Sequence, residues 1–294
     1  MKKYLFALII CCLYACGKKE SDPNDQWLAP LRIASYNIQY DNTVQAPASV
    51  WNNRKDIFKK LVEQHDFDII GAQEPYLVQL NDLKILLPQY AYVGVSITGE
   101  TSNLRQHYTP IIYKKDKFEI LDWGTFWYSP NSATPGSIGW DAYSPRICTR
   151  ALMKDKTTGK IFTVLNSHLD HIGTTARDLS VQMLLSLIPA VSAKYPVILT
   201  GDFNFNQTSV NYSRIMNSGL LKDSYNLAQS HANKDRGTHN NYDLNSNTTT
   251  RIDHIFLSTG NGYTVKSHNI ITDNFDGKYP SDHFPVMIEL LLKK

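Results

Sequence analysis

Cysteine is scarce in this chain: four among 294 residues, three of them crowded at positions 11, 12 and 16. That excludes a disulfide-framed scaffold and leaves stability to a hydrophobic core, which a chain of this length can build. No His or Cys cluster has the spacing of a zinc site, which points any metal chemistry towards hard cations and oxygen ligands. No apolar run approaches the ~20 residues that span a bilayer. Net charge is also small, +3 from 30 basic and 27 acidic residues. A nearly neutral chain offers no broad electrostatic footprint for nucleic acid. Repeats and low-complexity tracts are missing as well.

What is present begins with a leader. Lys2-Lys3 precede YLFALIICCLYA (4–15), which suits a signal-peptide core. Leu13-Tyr14-Ala15-Cys16 resembles a bacterial lipobox, with Cys16 as the lipidated residue; an ordinary secretory cut near Ala15 is the alternative. Residues 1–15 are therefore read as signal peptide, 16–30 as lipidated Cys and polar tether, and 31–294 as the folded domain. Processing removes Cys11 and Cys12 and leaves Cys148, in apolar-flanked PRICTRAL, as a small buried hydrophobe. The expected location is the bacterial cell envelope, membrane-attached only through lipid, as a monomer with no obligate protein partner.

The remainder alternates short β runs with helical patterns. RIASYNI (32–38), DIIGAQ (68–73), AYVGVSI (91–97), TPIIYKK (109–115), KIFTVLNSHL (160–169), PVILTGDF (196–203), RIDHIFLS (251–258) and FPVMIELLL (284–292) are rich in β-branched or aromatic residues and bounded by turn formers. Residues 54–65 and 175–195 place apolar side chains at helical spacing. Thr174 or Thr175 is the expected cap of the second helix, and Pro189 its expected bend or end. The pattern predicts an α/β domain: a four-layer α-β-β-α sandwich of two packed mixed sheets with outer helices. Stretches 129–148, 205–212 and 230–250 are long and polar enough to be functional loops.

Several strands end in polar residues: Asn37, Glu74, His168, Asp202 with Asn204, Asp253, and Asp282-His283 before the last strand. Strand ends are the usual place for a site in α/β folds. Each has a bland alternative taken singly: a strand end, a solvated turn, an Asx turn, a core histidine. Asp253 is the exception, because a carboxylate among apolar neighbours is costly unless paired.

In order and context, SYNI (35–38), DIIGAQE (68–74), PIIYKKDKFE (110–119), GWDAYSPRICTRA (139–151), NSHLDH (166–171), GDFN (201–204), RIDHIF (251–256) and SDHFPV (281–286) resemble the endonuclease/exonuclease/phosphatase superfamily, whose fold is that of pancreatic deoxyribonuclease. The resemblance spans about residues 31–293. Its wording around PRIC and NSHLDHIG is similar to a bacterial secreted or lipoprotein branch. The resemblance implies a divalent-metal-dependent hydrolase of phosphate esters, most simply a phosphodiesterase acting by in-line attack of an activated water on a phosphorylated substrate.

By the same resemblance, Glu74, Asn37 and Asp282 are the metal residues, with Mg²⁺ or Mn²⁺ as cofactor. His283 is the base oriented by Asp253, Asp202 orients the water, and Asn204 binds a phosphate oxygen. His168 is a transition-state stabiliser or general acid, and Arg146 contacts phosphate. Tyr113 is read equally as a core tyrosine or as one whose hydroxyl reaches the site. Relatives commonly carry a Glu that buttresses the residue matching His168; here that place reads Leu104-Arg105-Gln106-His107-Tyr108, with Glu100 or His107 as the available substitutes. A binding protein without turnover and a nonspecific nuclease are the alternative functions. Near-neutral charge disfavours the second.

Overall fold

The computed structural model describes residues 27–260 and 262–294. The expected signal peptide, Cys16 and residues 17–26 of the tether lie outside the described residues.

Two mixed sheets face each other. The first contains β1 (Leu31–Asn37), β2 (Ile69–Gln73), β3 (Tyr90–Val93), β4 (Ile111–Lys114), β10 (Ser230–Ala232), β12 (Tyr263–Ile270) and β13 (Val286–Leu292), ordered β10-β12-β13-β1-β2-β4-β3. The second contains β5 (Phe118–Trp127), β6 (Ile147–Asp155), β7 (Ile161–His168), β8 (Val197–Asp202), β9 (Leu221–Asp223) and β11 (Asp253–Ser258), ordered β5-β6-β7-β8-β11-β9. Helices α1 (Trp51–His65) and α2 (Leu77–Leu86) cover the first sheet, burying Phe58, Leu61 and Leu80 against Tyr36 and Ile70. Helices α3 (Thr174–Ser192) and α4 (Val210–Asn217) cover the second, through Val181, Leu184 and Ile215. This is the expected four-layer sandwich.

Period-two alternation assigns each strand one row of side chains to the space between the sheets. Those inward rows share a gradient. On β1 the row reads Leu31, Ile33, Ser35, Asn37; on β2, Ile69, Gly71, Gln73; on β7, Val164, Asn166, His168; on β8, Ile198, Thr200, Asp202. The apolar members fuse into the central core. The middle members are small or polar and clamp the sheets together. Asn166 donates to the carbonyls of Ala72 and Pro110 at 2.7 and 2.8 Å, Gln73 donates to Asn166 at 2.7 Å, and the Gly201 N–H donates to Ser35 at 2.9 Å. Gly71 is required here, since a Cβ on it would lie 1.9 Å from Thr200 Oγ1. The last members are the polar residues singled out in the sequence.

Some local expectations are corrected. The 91–97 run breaks after Val93, where Gly94 takes φ +135. Pro189 lies inside α3, on its exposed side, rather than ending it. Neither Thr174 nor Thr175 caps that helix. Asp141, from the 129–148 loop, accepts from the N–H groups of Thr175 and Ala176 at 3.2 and 2.6 Å, a long-range cap that local sequence does not announce. Segment 205–212 is a short turn leading into α4 rather than a loop. Cys148 is fully buried, and burial pushes its thiol up to about 11.

Two buried histidines away from the strand-end cluster bear on stability. His254 keeps one ring nitrogen on the Phe205 carbonyl at 3.2 Å, and among the described residues neither ring nitrogen of His268 has a hydrogen-bond partner. Burial, helped by Arg251 and opposed by Asp223, holds them down at about 4 and about 3. His231 stands 6.0 Å from His268, ring to ring. Unfolded, both histidines return to about 6.5. The folded state therefore binds fewer protons, and stability falls as pH drops from 6.5 towards 4. Each histidine should cost about 2 kcal/mol at pH 5 relative to pH 7. Urea unfolding at both pH values measures this; a difference no smaller in His268→Gln than in the wild type would exclude that ring as a source.

Candidate active site

Strand pairing brings the gradient's polar ends to one edge of the sandwich. β1 and β2 run parallel with Asn37 opposite Gln73, so Glu74 follows beside Asn37. β7 and β8 run parallel with His168 opposite Asp202, and antiparallel β11 sets Asp253 opposite Asp202. β13 returns antiparallel to β1, which leaves the 280–285 turn at the same edge. The resulting cleft has a volume of about 780 Å³.

At its floor, the Asn37 amide nitrogen donates to Glu74 at 2.9 Å and to Asp202 at 3.0 Å. Its oxygen accepts the Gln39 N–H at 3.0 Å, which fixes the amide's orientation. Asn37 thus bridges the two carboxylates through its nitrogen. His283 Nδ1 lies 2.9 Å from Asp253, so the carboxylate orients the ring and leaves Nε2 facing Asp202 at 4.0 Å. Asp282 accepts from the Gln39 side chain at 2.8 Å. His168 Nε2 stands 3.7 Å from Asp202 and 3.9 Å from Glu74. Asn204 closes an Asx turn on Asp202 at 2.9 Å and donates to the Leu169 carbonyl at 2.9 Å, which leaves its amide one further N–H. Glu74, Asn204 and Gln39 all have positive φ, at 74, 51 and 50°, a concentration of backbone strain at the cleft.

The electrostatics follow from crowding carboxylates in a buried place. Burial and the Asp253 carboxylate push Asp202 up to about 7. Burial, with Glu74 nearby, also raises Asp282. Burial disfavours the His283 imidazolium, but Asp253, Asp202 and Asp282 outweigh it and hold the ring well above its usual value. His168 is the reverse case: burial, then the Arg146 guanidinium, holds it well below.

Arg146 organises the opposite wall. It donates to Asp170 at 3.0 Å and reaches His171 at 2.8 Å and both ring nitrogens of His168 at 3.2–3.3 Å. Against the effect of burial, the Gly173 N–H and Arg146 hold Asp170 at about 2. Arg146 is therefore the side chain nearest to His168 on this wall. Glu100 does not buttress His168, since it is exposed and does not line the cleft. His107 lines the cleft but stacks on Tyr40 and Tyr76.

Tyr113 does not join this group. It pairs with Ile69 on antiparallel β4 and packs against the apolar end of the core, roughly 15 Å along the strand from Glu74. Its place is the core one. Trp123, Trp127 and Trp140 are also absent from the cleft lining. The sequence reading missed His239, whose ring lies 4.8 Å from that of His283 and which comes from the long 230–250 loop. It also missed the cleft position of His171 and the role of Gln39. Only loop length and polarity pointed towards His239.

A divalent cation fits this donor set. Glu74, His168 and Asp202 offer ligand atoms within 4.8 Å of one another, as do Asp202, Asp253 and His283. Asp253 Oδ1 is buried without a partner, and the crowded carboxylates gain from a positive charge among them.

The Endonuclease/Exonuclease/phosphatase family pattern matches residues 34–283. Among solved structures, a family protein from Bacteroides thetaiotaomicron is 39% identical, with 90% of this chain and 98% of that one covered and a TM-score of 0.83. A mannosyl-6-phosphatase from Bacteroides thetaiotaomicron VPI-5482 is also 39% identical, covering 88% and 99%, with a TM-score of 0.82. The CCR4-Not complex 3'-5'-exoribonuclease subunit Ccr4 of Candida albicans is 24% identical over 83% of this chain but only 38% of its own length. With the pattern running from β1 to the 280–285 turn, and full-length likeness to two bacterial structures, this chain belongs to the Endonuclease/Exonuclease/phosphatase family.

Proposed function

We propose that the protein hydrolyses phosphate esters with a divalent cation, by in-line attack of water. The observation that carries this reading is the convergence of Glu74 and Asp202 with the His283–Asp253 pair in one cleft. A phosphate ester is anionic and repels nucleophiles, so the site must neutralise charge and align the water. A cation such as Mg²⁺ or Mn²⁺, held by Glu74 with Asp282 close by, would supply that neutralisation and offset the carboxylate field on His283. His283, oriented by Asp253, takes the proton of the attacking water, and Asp202 holds that water in line. His168, kept neutral, donates a hydrogen bond to the phosphate rather than acting as an imidazolium acid. Arg146 and the free N–H of Asn204 face the same oxygens.

Likeness to the mannosyl-6-phosphatase favours a monoester over a diester. Turnover of a hexose 6-phosphate and of bis-para-nitrophenyl phosphate, each with Mg²⁺ and with EDTA, tests both statements. Activity should vanish with EDTA and fall at least about a hundredfold in Glu74→Gln. Metal-independent turnover, or full activity in that variant, would sink the reading. Lipid attachment at Cys16 and a cell-envelope location are supported by residues 1–16 alone. Metabolic labelling with a radioactive fatty acid should mark the protein and fail in Cys16→Ser.

A further inference from the structure

Beside the reaction cleft lies a second hollow of about 380 Å³, and Tyr40, Tyr76 and Arg105 line both. We infer that this hollow holds the alcohol portion of the substrate, and that it is built for a hydroxyl-rich ring such as a hexose. The inference rests on the phosphoesterase reading and assigns specificity to residues that reading does not use.

Position is the first argument. The Tyr40 N–H lies 3.5 Å from Glu74 Oε2, so the wall begins one residue from the proposed metal-binding carboxylate. In the first sheet, β13 with His283 flanks β1 on one side, while β2 and β4 extend on the other. The hollow is on the β2 side. A water activated at His283 expels its leaving group in the opposite direction, past Glu74 and towards Tyr40 and Tyr76.

Construction is the second. Tyr40, Tyr76 and His107 form a mutually packed aromatic wall, with ring centroids 4.9 to 5.3 Å apart. Such rings offer an apolar face to a sugar's C–H face. The opposing rim is polar and well ordered. Asn42 donates to Tyr40 Oη at 3.0 Å and to Gln45 at 2.8 Å, while accepting from the N–H groups of Val44 and Gln45. Asp41 accepts from Trp51 N–H at 2.8 Å and from Arg105 at 3.3 Å. With Asn42 saturated by these bonds, the Gln45 amide, the Thr43 hydroxyl and the Asp41 carboxylate are the groups around the aromatic face that suit several hydroxyls.

The experiment compares kcat/KM for a hexose 6-phosphate, for glycerol 3-phosphate, which is too short to fill the hollow, and for adenosine 5'-monophosphate. It uses the wild type, Thr43→Ala and Gln45→Ala, at two residues that line the hollow and not the cleft. The wild type should favour the hexose ester at least about tenfold over glycerol 3-phosphate. Both variants should remove most of that preference through KM, with glycerol phosphate turnover changed less than about twofold. Equal losses on both short and long substrates, no change on either, or a wild-type preference for the nucleotide would overturn the assignment. Absence of turnover on all three esters would instead overturn the phosphoesterase reading beneath it.

Discussion

Replacing His283 by Gln should lower kcat by about 10³–10⁴-fold while KM changes only a few-fold. In the proposed mechanism the imidazole accepts the water's proton, so its loss should be felt in the transition state rather than in binding. Asp253 acts through it. The 2.9 Å contact fixes the ring with Nε2 towards Asp202 and the cleft. Asp253→Asn should therefore be slow on its own, and the double variant should be no slower than His283→Gln. That non-additivity separates a coupled pair from two independent contributors. Steady-state kinetics on the three variants, with circular dichroism to confirm folding, measures it. Multiplicative losses in the double variant would show that Asp253 works on something other than His283.

The second large effect is expected at Arg54, a residue outside the cleft. It is 1% exposed, on the first turn of α1, and has no carboxylate partner among the described residues. Its guanidinium instead donates to five backbone carbonyls: Ser49 at 3.3 Å, Ile38 at 2.5 Å, Pro280 at 3.0 Å, Gln39 at 2.6 Å and Tyr40 at 3.1 Å. Three of those carbonyls follow Asn37, and a fourth begins the turn that carries Asp282 and His283. One side chain thus joins the chain that follows Asn37 to the turn that carries His283. Arg54→Met leaves five buried acceptors without donors and should cost at least about 5 kcal/mol, comparable to the whole stability of many domains. Arg54→Lys keeps a cation with fewer donors in a different geometry. It should fold, melt about 6–12 °C lower for a loss of about 3 kcal/mol, and show a lower kcat with KM little changed. Thermal unfolding and kinetics on the lysine variant decide the matter. A melting temperature equal to wild type would mean that the five bonds contribute little.

Arg54 also shows where sequence reasoning stops. Its helix was legible, because Phe58, Leu61 and Val62 recur at helical spacing. Its burial was not, since a lone Arg beside Lys55 and Asp56 reads as a solvated helix start. What buries it is the approach of residue 280 to residues 38–40, a contact more than two hundred positions apart. Asp141 capping α3 is a similar case, and so is Arg146 standing beside His168. His239 entered the cleft from a loop whose path no local pattern specifies.

The sequence by itself determined the two-sheet sandwich, the strands that form most of its interior, and the polar residue at each strand's end. Period-two alternation carries that information within a single strand: Ile33 faces the core, so Ser35 and Asn37 must face the same way. Only the tertiary structure decided which strand ends meet, because pairing register is a relation between strands. Register set Asp253 opposite Asp202, and it carried Tyr113 to Ile69 at the far end. Orientation within the site was likewise tertiary. Asn37 offers nitrogen rather than oxygen to Glu74 because the Gln39 N–H takes the oxygen.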